Sequence, residues 1–228
     1  MEADPLLRYD LGEEVEAWSS RKGAVLPYPV VMGHQVHGDR IAVITRPDTT
    51  RKELEGYDAF VTATPGYALA ARSADCMPIL IHDPVHKAVA AVHAGWKGTV
   101  RRISQKTLRE MGRLFGTKPE DILAAIGPGI GPDSFQVGEE VVDAFRKEGF
   151  PMEKIWSWRG PAMEDMAGGH HIDLWEANRW LLEEAGVPEG HVHVAGIDTY
   201  RDETFYSARR EGLGTGRIIS SIRIIPRK

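Results

Sequence analysis

The sequence predicts a mixed α/β (α+β) fold in which mixed sheets of short strands carry flanking helices. Three observations predict it: apolar residues alternate over many short segments, three segments have helical periodicity, and Gly and Pro separate the two kinds of segment. The chain has 24 Gly and 14 Pro among its 228 residues. A chain of this length can bury a substantial core as one unit, so we expect a single domain over residues 1–228.

Eight segments have strand patterning, and turn residues bound them. They are residues 40–45, 59–62, 68–72, 77–82, 88–92, 122–126, 192–197 and 217–225. Asp83 and Pro84 stand between the fourth and fifth segments. Because this is turn chemistry, these two strands are predicted to form a β-hairpin.

Three helices are predicted, over residues 99–115, 137–148 and 173–185. The first has an incomplete apolar stripe and ends at Gly116, which suits a C-terminal cap. Asp173 begins the third helix, because its carboxylate can accept hydrogen bonds from free N–H groups of the first turn. Gly186 and Pro188 end that helix. Residues 156–171, which include Gly, Pro and Met, are predicted to form a mobile loop.

Charge and hydropathy argue against two classes of partner. The formal net charge is −5 and the pI is near 6.0, whereas a nucleic-acid surface needs clustered positive charge. No apolar stretch approaches the ~20 residues that cross a bilayer, and the amino terminus lacks a signal-peptide pattern. We therefore expect a cytoplasmic monomer or homodimer that binds neither nucleic acid nor membrane.

The one cysteine, Cys76, directly precedes the first strand of the predicted hairpin, and His93 directly follows the second. Antiparallel pairing would bring the two residues side by side. Such a pair can bind a borderline metal such as Zn²⁺, or act as a nucleophile and base in which the imidazole takes the thiol proton. A lone Cys is also commonly a small buried apolar residue. The spacing leaves these interpretations open.

A third candidate donor lies in the run GHQVHGDR, before the first predicted strand. Side chains three residues apart in extended chain face opposite sides, so only one of His34 and His37 is expected to join the pair. We select His37, which is next to the flexible Gly38, and predict that His34 is a surface residue. One Cys and two His leave a tetrahedral ion one open position, as in catalytic zinc sites.

Six stretches form a distinctive set in this order: HQVHG, SADCMPIL, AVHAGWKGT, AIGPGIGP followed by FQVGEEV, DLWEANRWLL, and FYSARREGLGTGR. Together they resemble the laccase-domain or YfiH-like family, also called polyphenol oxidases or multi-copper polyphenol oxidoreductases. The resemblance covers residues 31–225. It implies a single-domain cytotoxic necrotizing factor/YfiH-like fold and a metal held by His37, Cys76 and His93.

The resemblance also implies an activity and its partners. Family members are described as purine nucleoside phosphorylases that also act on methylthioadenosine and deaminate adenosine, after an earlier assignment as copper laccases. A zinc-dependent phosphorylase that takes adenosine, inosine or methylthioadenosine together with phosphate is therefore expected. Copper is the alternative metal, and copper-dependent polyphenol oxidation is the alternative activity.

The sequence departs from the family pattern in three places. Gly129 and Asp198 stand where family members often have Cys, and the segment before HQVHG is short. The missing cysteines weaken any role for a second thiol site but leave His37, Cys76 and His93 unchanged.

A four-copper oxidase needs many paired imidazoles, and this chain has 9 His with a single HxH pair, His191 and His193. One zinc site fits hydrolysis or phosphorolysis better. Phosphate needs cationic partners, although exposed charges are commonly solvated. The candidates for this role are Lys97, Arg209 and Arg210.

Asp75, next to Cys76, has three open readings: it orients an imidazole, donates a proton from a neutral carboxyl, or only shapes the turn. We include it with Cys76 and His93 as a candidate catalytic residue. Two other function classes also stay open. A metal-free hydrolase or deamidase would use Cys76 as nucleophile and His93 as base. A non-catalytic module would bind metal and nucleoside without turnover.

Overall fold

Short strands dominate the computed structural model, which describes residues 4–46, 49–159 and 168–226. Six α-helices and two single-turn 3-10 helices, Pro119–Asp121 and Glu189–His191, accompany the strands of this part of the chain. In chain order the strands and α-helices are β1 (Leu6–Tyr9), β2 (Val15–Ser20), β3 (Ile41–Val43), β4 (Ala59–Thr62), β5 (Leu69–Ser73), β6 (Met77–Asp83), β7 (Ala88–Ala94), α1 (Trp96–Val100), α2 (Ile103–Phe115), β8 (Leu123–Ile126), β9 (Gln136–Val137), α3 (Glu139–Lys147), α4 (Met152–Ile155), β10 (Trp156–Arg159), β11 (Gly169–Ile172), α5 (Leu174–Glu184), β12 (Val192–Val194), α6 (Ala208–Glu211) and β13 (Ile218–Ile224).

The strands form three sheets. A six-stranded mixed sheet has the order β12-β8-β6-β7-β4-β3, with parallel pairs at its two edges and antiparallel pairs between them. A four-stranded antiparallel sheet has the order β1-β2-β13-β5, and a three-stranded antiparallel sheet has the order β10-β11-β9. The predicted class, mixed sheets with flanking helices, is confirmed.

The hairpin β6–β7 lies at the centre of the six-stranded sheet and is buried on both faces. Side chains alternate along a strand, so Ile79 and Ile81 pack with the helices while Leu80 packs toward the four-stranded sheet. This double burial explains why the two strands are almost continuously apolar rather than alternating with polar residues.

The predicted hairpin is confirmed, and its register pairs Pro78 with His93. At its closed end, Asp83 Oδ1 accepts hydrogen bonds from the N–H groups of Val85 and His86, each at 2.9 Å. The open end therefore lies at Cys76 and His93, as the turn chemistry predicted.

The single helix predicted over residues 99–115 is wrong, because the chain breaks into α1 and α2. Arg102 adopts a left-handed conformation with φ of 59°. Its guanidinium pairs with Glu184 of α5 and donates to the carbonyl oxygen of Glu148 at 3.0 Å, and these contacts hold the break. Gly116 caps α2 with φ of 80°, as predicted.

The other helix boundaries agree well with the sequence. Asp173 caps α5, since its side chain accepts a hydrogen bond from the Glu176 N–H at 2.9 Å. The mobile loop predicted over residues 156–171 is wrong at both ends, because β10 and β11 pair there as antiparallel strands. Its central part, residues 160–167, lies outside the described residues. Within the described ranges, no helix combines the length and apolar character that crossing a bilayer requires.

Candidate metal centre

Three side chains distant in sequence converge at the open end of the β6–β7 hairpin. His37 comes from the turn before β3, Cys76 directly precedes β6, and His93 lies on β7. One donor atom from each lies within 4.8 Å of the other two. His93 is buried with 3% exposure, Cys76 is partly buried and His37 is exposed, so the group has one face toward solvent.

Asp58 positions His93 through its main chain and its ring nitrogen Nδ1. The pairing of β4 with β7 places Ala59 opposite Val92, so Asp58 lies beside His93, and the Asp58 carbonyl oxygen accepts from the His93 N–H at 2.7 Å. The carboxylate Oδ1 also lies 2.9 Å from His93 Nδ1. An Nδ1–H that donates to this carboxylate leaves the Nε2 lone pair for a ligand, as in carboxylate–histidine–metal arrangements.

The same carboxylate holds the turn that carries His37. The N–H groups of Val36, His37 and Gly38 donate to the two oxygens of Asp58 at 3.2, 2.9 and 2.8 Å. His37 has φ of 59°, a left-handed conformation that a non-glycine residue seldom adopts. One fully buried acid therefore orients the His93 imidazole and holds the backbone that carries His37.

The charges of the group favour an anionic sulfur. Burial raises the pKa of Cys76, but the His93 charge and hydrogen bonds from His37 and His93 outweigh it and lower the pKa to about 6. Burial lowers the pKa of His93, whereas the Cys76 charge and the bond to Asp58 outweigh it and raise the pKa to about 9. Burial raises the pKa of Asp58, yet hydrogen bonds from His93 and Gly38 bring it below the usual value. Without a metal, the site thus favours a thiolate, an imidazolium and a carboxylate.

Gly95 allows the backbone to pass very close to the donors. A Cβ at this position would lie 2.9 Å from Cys76 Sγ and 3.1 Å from His37 Cδ2. Real Cβ atoms avoid such contacts, so a side chain at residue 95 would displace the sulfur or the imidazole.

A cavity of about 250 Å³ opens next to the three donors. Besides them, its described lining residues are His34, Gln35, Arg72, Ser73, Ala74, Ala208, Leu213 and Arg217. His34 is exposed, as predicted, although it also lines this cavity. The lining contains cationic, amide and apolar side chains but no Asp or Glu among the residues that the structure describes.

Asp75 has a shaping role in the structure. Its Oδ1 accepts from Thr199 Oγ1 and its Oδ2 accepts from the Arg209 N–H, both at 2.7 Å. Asp75 also has φ of 88° at the turn before β6. The acid that orients an imidazole is Asp58, so the imidazole-orienting role considered for Asp75 belongs to another residue.

The three cations selected from the sequence are absent from the described lining of the cavity. Lys97 is exposed on α1, with its ammonium 5.5 Å from the centre of the Trp96 ring. Arg209 donates to the carbonyl oxygens of Ser134 and Gln136 at 3.3 and 3.1 Å.

Arg210 is the most fully engaged of the three. All five N–H donors of its guanidinium have acceptors in the chain: Glu211 Oε1 and the carbonyl oxygens of Thr199, Tyr200 and Phe205. A phosphate ion would have to break these bonds. The phosphate role of Arg210 stays a prediction, and these bonds within the chain do not favour it.

The two positions where the family often has Cys are neighbours in space. Gly129 and Asp198 form an isolated parallel bridge. The Asp198 carboxylate accepts from the Gly131 N–H at 2.9 Å and from Ser134 Oγ at 2.6 Å, so it holds the turn that follows Gly129. A Cβ at Gly129 would lie 2.1 Å from Met77 Cε. In this chain, a carboxylate and a closely packed Met occupy the place of a second thiol site.

Sequence reasoning missed Asp58 and Arg72. Asp58 directly precedes one predicted strand and His93 directly follows another, so pairing those two strands would have placed the residues together. Arg72 ends a predicted strand and stands four residues before Cys76. That spacing does not show which way its side chain points.

The family follows from comparison of the whole chain. Residues 10–225 match the profile of the family described as multi-copper polyphenol oxidoreductase laccase. The chain belongs to this laccase family. The resemblance inferred from the six stretches is thereby confirmed.

Relatives of this laccase-family chain have enzymatic names. A purine nucleoside phosphorylase of Bacteroides thetaiotaomicron is 46% identical over 208 residues, covering 87% of this chain and 74% of that protein. Adenosine deaminase RL5, from an unknown prokaryotic organism, is 41% identical over 200 residues, covering 85% of this chain and 74% of that protein. The crystal structure of YlmD from Geobacillus stearothermophilus has a TM-score of 0.85 at 29% identity, covering 99% of this chain and 98% of that one.

Proposed function

We propose that this chain is a zinc-dependent purine nucleoside phosphorylase that also deaminates adenosine, with adenosine, inosine and methylthioadenosine as its nucleosides. The names of its relatives support an enzyme of this class. The observation that carries the proposal is the convergence of His37, Cys76 and His93 beside a cavity.

The donor set fits zinc. Two imidazoles and a thiolate are ligands that Zn²⁺ prefers, and three protein ligands leave a fourth position open for substrate. The lowered pKa of Cys76 favours the thiolate that ligation requires. Cys and His also suit copper, so copper is the alternative metal. Among the described residues this is the one group of three or more such donors, which argues against a four-copper oxidase.

The residues around the donors have distinct roles in the proposed reaction. Asp58 fixes the His93 tautomer and the backbone turn of His37, so the His93 imidazole and the main chain of His37 keep their positions when substrate enters. A zinc ion bound there would supply Lewis-acid polarisation in the open position. The apolar side of the cavity, formed by Ala74, Ala208 and Leu213, offers a surface for the nucleoside.

Two reactions share this site in the proposal. In phosphorolysis, a phosphate oxygen bonds to the ribose anomeric carbon while the bond from that carbon to the base nitrogen breaks. The base leaves with the electron pair and gains a proton, which balances the proton that the attacking hydrogen phosphate loses. In deamination, water adds at purine C6 and ammonia leaves, so adenosine becomes inosine.

The test uses purified protein with adenosine or inosine, with and without phosphate, and with and without a chelator. We expect base and ribose 1-phosphate only when phosphate is present, inosine from adenosine without it, and loss of both after chelation. Zinc should restore both activities. Absence of both products from the zinc-loaded protein would contradict the proposal. Restoration by copper alone, together with oxidation of a polyphenol, would favour the polyphenol oxidase alternative.

A metal-free hydrolase or deamidase is the second candidate function. Cys76, His93 and Asp58 have the order of a nucleophile, a base and the acid that orients the base, and the lowered thiol pKa supports this arrangement. Such an enzyme would keep its activity in a chelator and lose it on alkylation. Binding of zinc and nucleoside with no turnover in any arm would instead indicate a non-catalytic module. Location in the cytoplasm and a monomeric or dimeric state stay predictions.

A further inference from the structure

Arg72 reaches the cavity beside the metal centre from β5. Its main chain is clamped by one side chain: the Arg72 N–H donates to Gln35 Oε1 at 2.8 Å, and Gln35 Nε2 donates to the Arg72 carbonyl oxygen at 2.9 Å. On the other side, β5 pairs with β13, where Arg72 stands opposite Ile219. The position of Arg72 is therefore fixed by hydrogen bonds before any ligand arrives.

The guanidinium of Arg72 has no counter-charge in the described part of the chain. None of the hydrogen bonds or ion pairs described there engages its side-chain nitrogens, and the described lining of the cavity has no Asp or Glu. Burial lowers the pKa of Arg72, and the nearby cations Arg51 and Arg217 lower it further. A half-buried cation among other cations is stabilised by an anion.

Arg217 differs from Arg72 although it lines the same cavity. Its guanidinium donates to carbonyl oxygens of its own loop, to Gly216 O at 2.9 Å and to Leu213 O at 3.0 Å. These bonds order the loop that carries Leu213 at the cavity mouth. Arg217 thus contributes positive charge, whereas Arg72 keeps its donors available.

We propose that Arg72 binds the inorganic phosphate that attacks the nucleoside. The proposal rests on the function proposed above and assigns the anion subsite of the same cavity. A planar guanidinium with free N–H groups matches the oxygens of phosphate, and charge-assisted bonds of this kind are the strong ones. This residue replaces Lys97, Arg209 and Arg210, which were selected from the sequence alone.

The same chemistry could recognise the 5′-phosphate of a nucleotide. We commit to inorganic phosphate because the cavity beside the donors, at about 250 Å³, is small for a whole nucleotide together with a second phosphate. The experiment therefore includes an arm with AMP in place of adenosine.

The test compares wild-type protein with Arg72→Gln, Arg72→Lys and the control Arg109→Gln. Arg109 is an exposed cation on α2, so the control removes equal charge away from the cavity. Three quantities are measured on zinc-loaded protein: the KM for phosphate with inosine, the rate of adenosine deamination without phosphate, and calorimetric binding of inorganic phosphate. Thermal unfolding checks that each variant is folded.

We expect Arg72→Gln to raise the KM and the Kd for phosphate by about tenfold or more, the size of a lost hydrogen bond to a charged group. Deamination without phosphate should change much less than phosphorolysis does, Arg72→Lys should be intermediate, and Arg109→Gln should match wild type. An Arg72→Gln variant with the wild-type Kd for phosphate would overturn the proposal. The proposal would also be overturned if the wild-type protein turned over AMP faster than adenosine and the Arg72→Gln variant lost that preference. If wild type performs no phosphorolysis, the proposed function fails, while calorimetry still decides the role of Arg72.

Discussion

Asp58 Oδ1 lies 2.9 Å from His93 Nδ1, and the two oxygens of the same carboxylate accept three N–H groups of the turn that carries His37. Asp58 is absent from the cavity lining of the described residues. Its contribution to the centre is therefore indirect, through the placing of two of the three donors.

The first prediction concerns Asp58→Asn. The Asn amide replaces one acceptor oxygen with an NH2 group that faces the N–H donors of the turn or of His93. The turn and the His93 tautomer therefore lose hydrogen bonds. We expect the Kd for zinc to rise roughly 10–100-fold, as for other partners of metal ligands. Competition with a chromophoric chelator measures this Kd. The control Asp143→Asn, at an exposed ion pair on α3, should bind zinc normally. Equal zinc affinity in the two variants would contradict this role of Asp58.

The second prediction concerns Gly95→Ala. The backbone at residue 95 has φ of −69° and ψ of 171°, which Ala also adopts, so the strain is confined to contacts with Cys76 and His37. We expect a folded protein with much less bound zinc. Elemental analysis and thermal unfolding together measure this. Nothing lies within 4 Å of a Cβ at Gly190, so Gly190→Ala is the matched control. Full zinc occupancy in Gly95→Ala would show that the close approach does not constrain the centre.

The third prediction concerns the thiol of the metal-free protein. Burial opposes ionisation of Cys76, but the charge and hydrogen bonds of the two imidazoles bring its pKa to about 6. The rate of alkylation should therefore be high at neutral pH and fall as the pH drops through about 6. Because Cys76 is the one cysteine of the chain, mass spectrometry measures its alkylation without interference from other thiols. His93→Gln should move the midpoint upward. A wild-type midpoint near the free-thiol value of about 8.5 would refute the arrangement.

The fourth prediction concerns the hairpin turn and acid stability. Burial raises the pKa of Asp83, but the neighbouring Thr117 hydroxyl and His86 groups outweigh it and bring the pKa below its usual value. The folded state therefore favours the carboxylate, and its stabilisation is present above the unfolded pKa of about 4 and is lost as the pH falls through the lower folded value.

Asp83→Asn tests this sign. We expect the variant to be less stable than wild type by about 1 kcal/mol at pH 7, and the difference to shrink below about pH 4. Urea unfolding at several pH values measures it. If the difference in unfolding free energy between wild type and Asp83→Asn did not depend on pH, the charge of Asp83 would not contribute to stability.

The sequence predicted those parts of the centre that depend on local structure. Asp83 and Pro84 identify a turn, and a turn determines which residues of its two strands face each other, so Cys76 and His93 were placed together. Asp58 was missed because its contact depends on β4 pairing with β7, which residue patterns in either strand do not specify.

The same distinction explains the other errors. β1 and β2 were missed, since β2 pairs with β13 about 200 residues away and sequence patterns carry little information on such distant partners. The break at Arg102 depends on contacts with α5 and with the end of α3. The sequence alone does not show that the Lys97 ammonium lies over the Trp96 ring, and its phosphate role stays a prediction. The single domain over residues 1–228 stays a prediction.

The closed end of the central hairpin is well separated from the chemistry at its open end. The 7 residues of β6, at about 3.3 Å each, place the turn roughly 20 Å from Cys76. Pro84, Val85 and Lys87 are exposed there. A fluorophore or an affinity epitope inserted into this turn would label the molecule, or immobilise it on a surface, while the cavity at the opposite end stays accessible.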